Sequence, residues 1–217
     1  MGGFLRRTLT VIAIVAAVVG VLRATGLWRR LDAQVTAQYK GPTGRVGRLA
    51  AWSMPVMFRP LYAAMARSLD LRPEDEVLDV ACGSGVFLHR HAGQARRIAG
   101  LDHSAIQIDL ALDENRDRVF EGTAEFVVGD VAALPWGDGE FSVVTSNCVE
   151  CFDEKIQPAI AEMYRVLRPG GRAVVADDFE ERMQAAGFAR VSVEPARWRI
   201  FGDRQVEWGR VTTGYKE

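Results

Sequence analysis

The sequence predicts an α/β fold: a largely parallel sheet covered by helices on both faces, preceded by further helices. Three observations lead there. From Leu71 onward, short apolar runs alternate with helix-like segments, the pattern of successive βαβ units. The run 76–80 breaks at small residues and resumes as a helix at Val86, a strand–turn–helix unit of the nucleotide-binding kind. The last two runs, 189–201 and 205–213, alternate in polarity and are joined by Gly202-Asp203, which signals an antiparallel hairpin.

The chain has 217 residues, is 48% hydrophobic and 25% charged, and can bury one large core with an appendage. Its net charge of -1 is unevenly spread: the first 50 residues hold eight Lys/Arg against one acid, Asp32. A basic head on an acidic body suits an anionic membrane surface, and no nucleic-acid partner is expected. The three cysteines, Cys82, Cys148 and Cys151, argue against a disulfide framework and fit a reducing compartment. Cys148-Val-Glu-Cys151 lacks the second pair that a zinc site wants, so pocket lining is its expected role and no metal site is expected.

Taken in order, residues 8–22 carry no charge and are bracketed by Arg6, Arg7 and Arg23. The run is short against the ~20 apolar residues of a full span, but Phe4, Leu5 and a snorkelling Arg23 extend it. A single anchor helix, a cleaved signal peptide and a buried helix all fit. The absence of a good small-x-small cleavage site favours the anchor, with the body in the cytoplasm, or a wholly cytoplasmic protein if the segment is no anchor. Residues 31–70 read as helical after a turn at Gly41-Pro42-Thr43-Gly44, with Pro55 and Pro60 expected to break or kink them. Apolar residues recur there at three- and four-residue steps from Val46 to Leu69, giving either a helix packed on the main domain or a lid or membrane-contacting face. The expected units are therefore 1–30, an N-terminal anchor or signal-like segment; 31–70, a helical cap or lid; and 71–217, a ligand-binding domain.

Within the last unit the expected strands are 76–81, 98–102, 124–128, 141–146 and 172–176, before the hairpin. The expected helices are 85–95, 105–119 capped by Ser104, 154–167 stopped by Pro169-Gly170-Gly171, and 180–186 ended by Gly187. Open sheets of this kind bind ligands at the carboxyl ends of their strands. The first strand ends in Ala81-Cys82-Gly83-Ser84-Gly85, where the glycines allow unusual backbone angles and close approach of a ligand. The second ends in Asp102, 19 residues beyond Gly83, placed to accept from a ribose diol. The third ends in Gly129-Asp130, followed by Val131-Ala132-Ala133-Leu134-Pro135. A carboxylate there can accept from an adenine amino group while Leu134 packs on the base. The glycine spacing is not the G-x-G-x-x-G of dinucleotide enzymes, which speaks against a nicotinamide oxidoreductase.

Residues 77–85, Gly100-Leu101-Asp102, the 129–135 run and Leu167-Arg168-Pro169-Gly170-Gly171, in that order, resemble the class I S-adenosylmethionine-dependent methyltransferases. They are most similar to the ubiquinone/menaquinone-biosynthesis subgroup, over residues 71–217. The resemblance implies a Rossmann-like seven-stranded methyltransferase sheet with an antiparallel last strand, S-adenosylmethionine as cofactor, and a small or lipid-like methyl acceptor. It implies that Asp79, Ala81, Cys82, Gly83, Ser84 and Gly85 face the methionine part, that Asp102 holds the ribose with His103 beside the adenine, that Asp130 and the Val131 backbone hold the adenine edge, and that Asn147 sits near the methionine end and the acceptor. Two departures stand out: Ala81, where the family more often has glycine, and a helix following strand five almost directly, where related enzymes often insert a substrate-recognition segment. No general base is singled out among Glu150, His103 and Asp178, while His89 and His91 read as solvated surface. A cofactor-binding module that regulates or scaffolds without catalysis is the alternative to an enzyme.

Overall fold

A computed structural model describes residue 44, residues 58–201 and residues 204–217. The apolar run 8–22, Pro55 and most of the 31–70 unit lie outside these. Among the described residues no helix is long and apolar enough to cross a membrane.

The chain order is α1 (Arg59–Leu69), β1 (Glu76–Val80), α2 (Val86–His91), β2 (Arg97–Asp102), α3 (Ala105–Glu114), α4 (Arg116–Phe120), β3 (Ala124–Val128) and β4 (Phe141–Ser146). A 3₁₀ segment (Val149–Lys155), α5 (Ile156–Val166), β5 (Leu167–Ala176), α6 (Glu180–Ala185), β6 (Ala189–Phe201) and β7 (Arg204–Tyr215) follow. The seven strands form one sheet in the order β3-β2-β1-β4-β5-β7-β6. β1 to β5 pair in parallel, and β7 runs antiparallel to both β5 and β6. The expected sheet is thus observed, closing hairpin included. Its order reverses between β1 and β4, the place where an open sheet leaves a crevice at its carboxyl edge.

The buried strands are apolar on both faces, as a sheet sandwiched between helices requires. One face packs Leu78, Val80, Val144 and Val175 against Ile160 and Met163 of α5; the other packs Val77, Val143 and Val174 against Met65 and Leu69 of α1 and Phe87 and Leu88 of α2. Burying such side chains contributes roughly 1.5–3 kcal/mol each. α1 therefore lies against the sheet, and Pro60 falls in its first turn, where a missing N–H costs nothing, so no kink results.

Three boundaries differ from expectation: β5 starts at Leu167, not 172, because Leu167 already pairs with Phe141 and Pro169-Gly170-Gly171 falls in the irregularity that follows, and two helices end early. The helix expected over 105–119 divides at Asn115, whose backbone leaves the helical region. The buried Asn115 amide donates to the Ala111 and Gly85 carbonyls, tying the break to the glycine turn. The helix expected over 85–95 stops at His91, and a turn through Ala92 to Ala95 brings the chain into β2.

Candidate cofactor site

The turn after β1 is built by backbone angles that few residues adopt. Ala81, Gly83 and Gly85 all have positive φ, at 60°, 53° and 69°. The two glycines are required for different reasons. A Cβ on Gly85 would lie 2.8 Å from the Asn115 amide and 2.9 Å from the Ala111 Cβ, so helix packing forbids it. A Cβ on Gly83 would meet only Gln107, at 3.8 Å, an ordinary contact, so there the backbone angle is what requires the glycine. Ala81 adopts the left-handed region without glycine's freedom.

The acids fall at the carboxyl ends of the three adjacent strands β1, β2 and β3. Asp102 is 6% exposed. Its Oδ2 accepts the Gly83 N–H at 3.0 Å and its Oδ1 the Ser104 N–H at 2.9 Å, so one carboxylate shapes the glycine turn and holds the N-cap residue of α3, whose own side chain, against expectation, makes no capping bond. Burial raises the Asp102 carboxyl above the ordinary aspartate range, against the pull of these donors. The largely exposed His103 ring stands 3.4 Å from Asp102 Oδ1. The end of β3 is tied to that of β2 by the Gly129 N–H, which donates to the Asp102 carbonyl. Asp130 is half exposed, accepts the Ala132 N–H at 3.0 Å and pairs with Lys155 at 2.6 Å. Lys155 holds its carboxyl below the usual range. Val131 and Leu134 beside it are buried in the core.

Asp79 is fully buried on β1. The Thr145 hydroxyl donates to its Oδ1 at 2.7 Å and the Asn147 amide to its Oδ2 at 3.4 Å. Burial pushes Asp79 up to about 7, and the neighbouring Asp102 adds to the shift. Two further polar atoms here, Ser146 Oγ and Asn147 Oδ1, are buried and have no hydrogen-bond partner. A buried carboxyl with no cation beside it among the described residues, next to an unpartnered hydroxyl and an unpartnered amide oxygen, is costly to fold and fits a site that receives a cationic ligand. An amino-acid sulfonium nucleoside is such a ligand, so the residues fit the cofactor that the motifs imply. Sequence reasoning missed Thr145 and Ser146. Their signal was the run Thr145-Ser146-Asn147, three consecutive polar residues following the apolar Val143-Val144 at the end of the strand.

The other candidates divide. Cys82 is buried, its N–H bonded to the Leu101 carbonyl and its thiol pushed up by burial, so it supports the turn's packing. Ser84 is partly buried. Asp178 is paired with Arg210 at 2.6 Å, which engages it away from base chemistry, and the Glu150 side chain lies outside the described set. Cys148 is disulfide-bonded, a correction to its reading as a plain lining thiol. Among the described residues no cluster could hold a metal ion. A separate cavity of about 350 Å³ lies between α1 and the β6–β7 pair and shares no residue with this set.

A family model described as a methyltransferase domain matches residues 77–171, the segment holding all three acids. The 2-phytyl-1,4-naphtoquinone methyltransferase of Synechocystis sp. is 30% identical over 171 residues, covering 72% of each chain. The arsenite methyltransferase of Aquipseudomonas alcaligenes is 30% identical over 156 residues, covering 62% of this chain and 45% of that one. Among solved structures, the [4+2]-cyclase SpnF superposes with a TM-score of 0.56 and 26% identity, over 63% of this chain and 60% of that one.

Proposed function

From the chain's membership of the class I S-adenosylmethionine-dependent methyltransferases we propose that it transfers a methyl group from S-adenosylmethionine to a small lipophilic acceptor of the naphthoquinone class. One observation carries the cofactor half of this reading: the buried, cation-free Asp79 beside the orphaned Ser146 and Asn147 oxygens, one strand from the Asp102 that shapes the glycine turn. The acceptor half is supported by the naphthoquinone relative, which matches over most of both chains.

When bound, the cofactor supplies an electrophilic sulfonium methyl. The residues of this chain position it. Asp79 and the Ser146 and Asn147 oxygens receive the cationic amino-acid end, Asp102 accepts from the ribose hydroxyls with His103 at the rim, and Asp130 with the Val131 backbone takes the adenine edge. Ala81, Cys82, Gly83, Ser84 and Gly85 form the floor. Holding two reactants in line can lower a barrier by up to about 7–11 kcal/mol, and an activated methyl donor leaves the protein little else to supply. The uncharged 8–22 run, flanked by arginines, is read as an anchor that brings a cytoplasmic site to membrane-dissolved acceptors.

The test is transfer of a labelled methyl group from the cofactor to a demethylated 1,4-naphthoquinol with an apolar tail, the reduced form whose ring carbon is nucleophilic; the S–CH3 bond breaks, the ring proton leaves to solvent, and the product is air-oxidised to the quinone for detection. A methylated quinone and S-adenosylhomocysteine in equal amounts are expected. The structural neighbour named a [4+2]-cyclase favours a second reading, a cofactor-binding chain that moves no methyl group, because one fold hosts unrelated chemistries. Tight cofactor binding with no product from quinol or lipid extracts would favour that alternative.

A further inference from the structure

The described side chains at the core of the site are weighted toward acceptors: the carboxylates of Asp79 and Asp102 and the Asn147 Oδ1, with the unpartnered Ser146 hydroxyl able to donate or accept. They suit the ammonium, sulfonium and hydroxyl groups of the cofactor. The cofactor's amino-acid end also carries a carboxylate, and a carboxylate set among these acids gains from a donor beyond that single hydroxyl.

α1 supplies one. Its carboxyl end is pinned low on the sheet: the Arg172 guanidinium donates to the Leu69 and Asp70 carbonyls, and Arg172 pairs in register with Val143, which pairs with Val77 near the start of β1. Tyr62 lies seven residues before Leu69, about 10 Å up the helix at 1.5 Å per residue. At about 3.3 Å per strand residue, that rise reaches the level of Val80, where the glycine turn begins. A ring contact locates it independently. Tyr62 meets Phe87, the second residue of α2, edge-on with centroids 5.3 Å apart, and stacks on Phe58 at 6.5 Å. The phenol feels the same neighbourhood: burial raises it first, then the Asp79 carboxylate and Cys82, with Arg90 of α2 opposing.

We propose that Tyr62, carried on α1 from outside the strand–turn–helix core, donates its hydroxyl to the carboxylate of the cofactor's methionine moiety. This rests on the cofactor reading above. It makes α1 part of the cofactor site, not packing alone, and gives a residue upstream of the methyltransferase-domain match a binding role.

The experiment is calorimetric titration of the full chain and its Tyr62→Phe variant with two ligands: S-adenosylhomocysteine, which has the carboxylate, and 5′-methylthioadenosine, which lacks the amino-acid end. Phenylalanine keeps the ring contacts to Phe58 and Phe87, and 5′-methylthioadenosine binding reports that the site is still folded. A lost hydrogen bond to a charged group predicts roughly tenfold to hundredfold weaker S-adenosylhomocysteine binding, with 5′-methylthioadenosine unchanged. Equal weakening of both ligands, or no weakening of either, overturns the role of Tyr62. If the unmodified chain binds neither ligand, the cofactor reading itself fails, and this inference with it.

Discussion

Asp79 sits at the end of β1 with its carboxyl fully buried, pushed up to about 7 by burial although the Thr145 hydroxyl favours the ionised form. The sign of the consequence for stability is the reverse of the usual aspartate. The unfolded chain releases this proton near the ordinary value, so between there and about 7 the folded state holds more protons. The site's stability contribution is complete at low pH and is lost as pH rises through about 7. Asp79→Asn is accordingly expected to raise the unfolding midpoint at pH 8 by roughly a few degrees, read by a thermal melt, while weakening cofactor binding at least tenfold. A second consequence is that cofactor affinity of the unmodified chain should rise with pH through the neutral range, as the carboxylate that meets the cationic end becomes ionised.

The glycine turn was legible as a turn and not as two different constraints. Gly83 and Gly85 look equivalent in sequence, yet a Cβ on Gly85 would collide with Asn115 and Ala111 whereas one on Gly83 would make only ordinary contact with Gln107. Gly85→Ala is expected to cost about 1–3 kcal/mol of folding stability by denaturant titration, from overpacking and a forced φ. Gly83→Ala should cost about 1 kcal/mol, and its larger effect should be on cofactor affinity. At Ala81, where φ is 60°, Ala81→Gly should be neutral or stabilising by up to about 1 kcal/mol.

At the scale of elements, periodicity located the strands and the hairpin, because a sheet buried on both faces writes continuous apolar runs into the sequence. It missed the break at Asn115, since the reason is a side chain reaching a carbonyl 30 residues away. It also missed what fixes the loop after β3. Arg165 of α5 donates to the Leu134 and Trp136 carbonyls and pairs with Asp138 and Glu162, and Glu162 accepts the Leu134 N–H. Nothing in local sequence joins α5 to that loop. Arg165→Ala is expected to destabilise the fold by about 2–4 kcal/mol and to raise hydrogen exchange in 130–140 more than in the strands, because it removes the donor from the partly buried Leu134 and Trp136 carbonyls and leaves Glu162 without its cation.

For the whole molecule, each of the four ordered motifs is weak alone, and their meaning came from the sheet that brings three of them to one edge. The strand order turns separations of 19 and 47 residues from Gly83 into neighbours, with Asp102 bonded to the Gly83 N–H and the β3 end tied to Asp102. Tyr62 escaped the sequence reading because a lone tyrosine on an apolar helix stripe has no signature until α1 is docked. Removing residues 1–30 is expected to shift the protein from the membrane pellet to the supernatant on cell fractionation without changing its cofactor affinity, as the anchor reading of 8–22 requires.

The most direct measurement is a calorimetric titration of S-adenosylhomocysteine into the full chain and into its Asp102→Ala variant. One site per chain, with the signal lost or weakened at least a hundredfold in the variant while both proteins remain folded, is the expected result. A folded, unmodified chain that takes up no S-adenosylhomocysteine, or an Asp102→Ala variant that binds it as well, would contradict a cofactor held along the carboxyl edge of this sheet.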